Sequence, residues 1–141
     1  MLIVSACLAG LHCRYDGAEK PCEAVIRLVA EGRAIPVCPE QLGGLPTPRQ
    51  PSEINGGRVI RKDGLDVTAE FQQGAREALK LARLVGAKTA ILKAKSPSCG
   101  CGKIYDGSFS GALIDGNGIF AQLCKENGIE VKTEEETGSH L

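Results

Sequence analysis

Histidine is nearly absent from this chain. His12 and His140 are the only two in 141 residues, and His140 is next to last. A zinc finger built from cysteine and histidine pairs is thereby excluded, and no two cysteines have the Cys-x-x-Cys spacing of ribbons and knuckles. Net charge is missing as well. Lysine plus arginine and aspartate plus glutamate number 17 each, so nothing draws the whole molecule toward nucleic acid or a membrane surface. No apolar run approaches the roughly 20 residues of a membrane span. The N-terminus enters an apolar strand pattern at Leu2 with no charged leader, and no internal repeat recurs at a fixed period. The expectation is a cytoplasmic protein with no membrane association and no polymeric nucleic acid as partner.

Cysteine, by contrast, is plentiful: there are seven, an odd number. In a reducing compartment such residues serve as metal ligands, catalytic groups or small buried apolar side chains rather than disulfides. A metal held here would be bound by thiolates that the fold brings together, and soft thiolates suit zinc, copper(I) or iron–sulfur clusters.

The pattern along the chain alternates strand and helix. Residues 2–7 read as a buried strand, residues 22–32 as a helix with Ala24, Val25, Leu28 and Val29 on one face, and residues 34–38 as a second strand weakened by Pro36. Residues 39–51, rich in proline and glycine, read as a long irregular loop. Residues 58–67 read as a hairpin turning at Asp63-Gly64, and Thr68 as the cap of a helix running to about Val85. A third strand covers residues 88–93, residues 104–111 form a turn-rich loop, a helix runs over 119–127, and a last strand covers 129–132. This order predicts a single three-layer, Rossmann-like α/β domain over residues 1–132, with a mostly parallel sheet, a small inserted hairpin and a polar, frayed tail over 133–141.

In such sheets ligands bind beyond the carboxyl ends of the strands. Cys7, Cys38 and Cys99 end strands or follow them closely, so parallel neighbouring strands would bring their thiols to one edge. Three thiolates suit a metal or cluster with one position open, whereas a structural site closes with four. Cys13 and Cys101 share loops with Cys7 and Cys99, and either could be a further ligand. Cys22 and Cys124 fall in helix patterns and read most simply as core residues. Glu40, two residues after Cys38, is a candidate general acid–base. Ser96 and Ser98 are candidates to position substrate or relay a proton. Arg14 and Arg49, in polar loops at the same edge, are candidates to bind anionic or carbonyl groups of a substrate.

Four segments carry a family resemblance. They are Ser5-Ala6-Cys7-Leu8-Ala9-Gly10 with Cys13-Arg14-Tyr15-Asp16-Gly17; Cys38-Pro39-Glu40-Gln41-Leu42-Gly43-Gly44-Leu45-Pro46-Thr47-Pro48-Arg49; Lys95-Ser96-Pro97-Ser98-Cys99-Gly100; and Tyr105-Asp106-Gly107-Ser108-Phe109-Ser110-Gly111. Together they resemble the motifs of the thiouracil desulfidase family, formerly a domain of unknown function. The resemblance implies a 4Fe–4S cluster held by Cys7, Cys38 and Cys99 with one iron free of protein ligands, and catalytic roles for Glu40 and Ser96. It further implies a small thiolated pyrimidine as substrate, whose C=S is exchanged for C=O with release of hydrogen sulfide. Two other readings of the same cysteines are a zinc-stabilised module closed by Cys7, Cys13, Cys38 and Cys99, and a metal-free sulfur carrier with Cys99 as a persulfide-forming nucleophile.

Overall fold

A computed structural model describes residues 1–18 and 20–137. His140 lies outside them. Four parallel strands form the central sheet: β1 (Leu2–Ser5), β2 (Ala34–Val37), β5 (Thr89–Leu92) and β8 (Glu130–Thr133), in the order β2-β1-β5-β8. Helix α1 (Glu23–Ala30) links β1 to β2. The short helix α2 (Pro39–Leu42), a hairpin of β3 (Ser52–Asn55) and β4 (Arg58–Arg61), and the long helix α3 (Thr68–Leu84) link β2 to β5. A second hairpin, β6 (Lys103–Tyr105) and β7 (Leu113–Asp115), and helix α4 (Ile119–Glu126) link β5 to β8, which runs into the helical turn α5 (Glu134–Thr137).

Alternation along the strands divides the core in two. Ile3, Ala90 and Leu92 point to the face covered by α3 and α4, where they meet Ala75, Ala78, Leu79, Ala82, Phe120, Ala121 and Cys124. Val4 and Ile91 point the other way and meet Val25 and Leu28 of α1, with Leu8 from the 3-10 turn Ala6–Ala9. The layers are therefore α1, sheet, and α3 with α4, as the strand–helix alternation predicts. Cys124 is a fully buried core residue and Cys22 packs half-buried beside α1, as expected of each.

Local detail departs from the sequence expectation in several places. Pro36 does not disturb β2 because β2 is an edge strand, where a missing N–H costs no ladder bond. The inserted hairpin turns at Gly56-Gly57 rather than at Asp63-Gly64, which forms only a following turn closed by a bridge between Ile60 and Asp66. Thr68 is the first residue of α3 rather than its cap: its Oγ1 accepts from the Val59 amide, while Asp66 Oδ1 accepts from the Thr68 amide. The loop over 104–111 is bracketed by strands. The tail also begins later than expected. Thr133 completes β8, and Glu134 is bound at the sheet edge, where its carboxylate accepts from the Ala94 amide at 2.8 Å and pairs with Lys93 at 3.0 Å.

The proline-rich stretch is not wholly irregular, because α2 opens it and is pressed against α3. Gly74, within α3, lies so close to α2 that a Cβ built there would stand 1.8 Å from the Pro39 carbonyl oxygen. Across the same contact a Cβ on Gly43 would stand 2.0 Å from the Glu70 carbonyl. This glycine pair sets the position of α2, whose cap is Cys38 and whose second residue is Glu40. On helix propensity alone Gly74→Ala would stabilise α3 by about 1 kcal/mol. The overlap with backbone reverses the sign, and a loss of about 3 kcal/mol and several degrees in Tm is expected. A thermal melt in which the variant is more stable than the parent would contradict this packing.

Candidate active site

The reversal of strand order lies between β1 and β5. The chain leaves β1 toward β2 on one side and returns to β5 on the other. The loops after these strands diverge there, and a cavity of about 710 Å³ opens at the carboxyl edge of the sheet. Cys7, Cys13, Cys38 and Cys99 all line it, with Glu40, Arg49, Arg14 and Ser96. The convergence expected of strand-end thiols is thus present.

The thiols are neighbours of one another. The Cys38 thiol donates to the Cys13 carbonyl at 3.6 Å, and the Cys13 thiol lies close enough to those of Cys38 and Cys7 for each to act on its pKa. A hydrogen bond from Cys38 lowers the Cys13 pKa, but the bond to Cys7, burial and the charge of Cys7 outweigh it and hold Cys13 at about 11. Cys38 is pushed far up, first by its bond to Cys13 and then by burial. Burial, followed by the charges of Cys38 and Glu40, pushes Cys99 up to about 12 against the hydrogen bonds of Ser5 and Ser98. Lone thiolates are therefore costly here. A Cys99 persulfide carrier, which needs a ready thiolate, is disfavoured. A cationic metal centre would reverse the cost, because a coordinating thiol is deprotonated by its metal. Among the described residues no three Cys, His, Asp or Glu side chains surround a single ion position. This weighs against a closed zinc site, whose four thiolates must all lie about 2.3 Å from one ion. Three strand-end thiols on the wall of one roomy cavity leave space for a larger, multi-iron core.

Glu40 is held in place by Arg49. Arg49 Nε donates to Glu40 Oε1 at 3.0 Å, and the two side chains are 6% and 17% exposed. The same guanidinium donates to the Pro46 carbonyl and the Thr47 hydroxyl, each at 3.0 Å, and to the Cys13 carbonyl at 2.9 Å. Arg49 lines the cavity as expected of it, but four of its five N–H donors go to protein acceptors, so it positions Glu40 and the Cys13 loop. Arg14 keeps its place on the cavity wall, with its guanidinium 5.7 Å above the Tyr15 ring.

Ser96 Oγ accepts from the amides of Ser98 at 3.1 Å and Cys99 at 3.0 Å. Both lone pairs are then occupied, and the O–H hydrogen remains as a donor on the cavity wall. Ser98 and Cys101 do not line the cavity. Ser98 is 2% exposed, its carbonyl accepts from the Phe120 and Ala121 amides, and a substrate has no access to it. The Cys101 thiol lies 3.9 Å from the Val131 carbonyl and packs half-buried against the core under α3 and α4.

Several cavity residues are given no role by the sequence. Ser5 Oγ accepts from the Lys93 amide at 2.9 Å and so ties the ends of β1 and β5 together. Glu53, Phe109 and Glu134 also line the cavity, each brought there from a distant segment, and no spacing rule groups them.

Residues 2–136 match the family described as 2-thiouracil desulfurase. An uncharacterised protein of Bacillus subtilis (strain 168), YbbK, is 43% identical over 151 residues that span the whole of both chains. A solved structure described as a [4Fe-4S]-dependent thiouracil desulfidase, TudS, superposes with a TM-score of 0.91. It is 49% identical and covers 96% of this chain and 91% of its own.

With thiols raised in this way, metal-free reduced protein should resist alkylation. At pH 8 the thiolate fraction of Cys13 should be roughly a hundredfold below that of the unfolded chain, and its rate should climb as pH rises toward 11. Peptide mapping after timed iodoacetamide treatment reads this directly. Rapid labelling of Cys13 and Cys99 at pH 7 would contradict the burial described.

Proposed function

The chain belongs to the 2-thiouracil desulfurase family, and on that premise we propose that it is a 4Fe–4S-dependent desulfidase that converts the thiocarbonyl of a thiolated pyrimidine to a carbonyl and releases hydrogen sulfide. The observation that supports it most is the company the thiols keep: Cys7, Cys38 and Cys99 share one cavity with an arginine-held carboxylate and a serine hydroxyl free to donate.

Cys7, Cys38 and Cys99 would hold the cluster, which when bound supplies a soft Lewis-acidic iron suited to a thiocarbonyl sulfur. The protein's own groups do the rest. With Oε1 of Glu40 fixed by Arg49 Nε, the other carboxylate oxygen is the one that takes a proton from the attacking water at the substrate carbon. The water oxygen becomes the new carbonyl, and both water protons leave with the sulfur as hydrogen sulfide, so no electrons are exchanged. Glu40 carries the proton between these stages. Ser96 donates its O–H to an oxygen or nitrogen of the ring, holding the ring while the carbon is attacked. Arg14, unlike Arg49, remains to meet an anionic group, as on a thiolated nucleotide. Cys13 is assigned a scaffold role, since its carbonyl is the acceptor shared by Cys38 and Arg49.

Anaerobic reconstitution with iron and sulfide should give a brown protein with about four irons per chain that releases sulfide from 2-thiouracil. Glu40→Gln should keep the iron and the colour and lose turnover by roughly a hundredfold or more. Cys38→Ser should lose both. A colourless, metal-free protein that turns over at the same rate would defeat the assignment.

A further inference from the structure

The loop over residues 105–111 carries one of the four sequence motifs but has no part in the chemistry above. Its most unusual residue is Phe109, at φ +58°, a left-handed conformation that residues with bulky side chains avoid. The surrounding structure enforces it. Glu53 Oε1, reaching from β3, accepts from the amides of both Gly107 at 3.0 Å and Phe109 at 3.1 Å. Asp106 Oδ1 accepts from the amide and hydroxyl of Ser108 at 2.9 and 2.6 Å. Gly107, at φ +95°, lies so close to β3 that a Cβ would come 2.8 Å from the Asn55 Cβ and 2.9 Å from the Ile54 carbonyl.

This pinned, strained backbone places an apolar ring in the wall of the cavity that holds the thiols, where Phe109 is half-buried. The two other phenylalanines of the chain, Phe71 and Phe120, are fully buried in the core. Around Phe109 the cavity is otherwise rich in lysines, carboxylates and hydroxyls. A ring withheld from the core and fixed at a polar cavity has its use in a ligand with a flat apolar face. Tyr15 is a poorer candidate because its ring already carries Arg14.

We propose that Phe109 is a specificity-determining residue whose ring stacks on the planar heteroaromatic ring of the substrate, so that the site selects cyclic over acyclic thiocarbonyls. The proposal rests on the desulfidase reading. Aromatic–base stacking contributes enough that its loss weakens binding roughly tenfold or more.

The test compares 2-thiouracil with thiourea, which carries the same thiocarbonyl between two nitrogens but no ring. Reconstituted holoenzyme is used as parent, Phe109→Ala, Phe109→Leu and Phe109→Tyr, with thiourea followed as a substrate or, if it is not turned over, as a competitive inhibitor. In the Ala and Leu variants kcat/KM for 2-thiouracil should fall about tenfold, mostly through KM, with the thiourea constant unchanged and the Tyr variant restored to near the parent. Calorimetric binding of uracil should weaken in parallel. A Leu variant that keeps the parental preference, or equal losses on both compounds, would overturn the proposal. If the parent releases no sulfide from either compound, the desulfidase reading fails by itself. Uracil binding then decides: absent binding, or equal affinity in parent and Phe109→Ala, overturns stacking, and a selective loss in the Ala and Leu variants upholds it.

Discussion

The parallel pairing of β1 with β5 is the constraint on which the site depends. Right-handed crossovers place α1 on one face of the sheet and α3 with α4 on the other, because the chain departs from β1 in one direction and arrives at β5 from the opposite one. The two loops that follow these strands cannot cover each other, and the crevice between them is left open. Cys7 and Cys99 enter that crevice from its two sides. Cys38 joins them from the edge strand β2, where the Gly43–Gly74 contact fixes the start of α2. Ser5 fastens the two central strands at the same level.

Arg49 is the second organising element. Its nearly buried guanidinium touches Glu40, the Cys13 carbonyl and the turn at Pro46–Thr47. It therefore joins the proline-rich segment to the first cysteine loop and holds the carboxylate at one oxygen. A buried ion pair of this kind is weak evidence of stability, since desolvation offsets the attraction, but removing one partner strands a charge. Its value is geometric: it fixes Glu40 at the cavity wall by one carboxylate oxygen. On the far side of the cavity Glu134 performs a comparable task, holding the Ala94 amide and Lys93 just ahead of the Ser96 turn.

Much of this is legible in the amino-acid sequence. Short apolar runs locate the four central strands and period-3.6 patterns the three main helices, and the position of cysteine at strand ends puts Cys7, Cys38 and Cys99 at one edge. What is not legible depends on contacts between remote segments. Thr68 looks like a helix cap because it precedes an apolar stripe, yet the Val59 amide claims its hydroxyl. Arg49 reads as a substrate-binding group because its fork suits anionic and carbonyl groups; only the folded chain shows four of its five N–H donors taken by protein acceptors. Ser98 and Ser96 are alike in sequence, and a step of two residues along a tight turn buries one and presents the other. The strained φ of Phe109 follows from Glu53, 56 residues away, and leaves no local trace.

The central claim is that three thiols, and not four, hold a cluster in this crevice. It is tested most directly by an anaerobic crystal structure of the reconstituted protein with data collected at the iron edge. The account predicts an iron–sulfur core within bonding distance of the Cys7, Cys38 and Cys99 sulfurs, with one iron facing Glu40 and Ser96 and without a cysteine ligand. Iron bound by Cys13 or Cys101, or iron located outside this cavity, would contradict it.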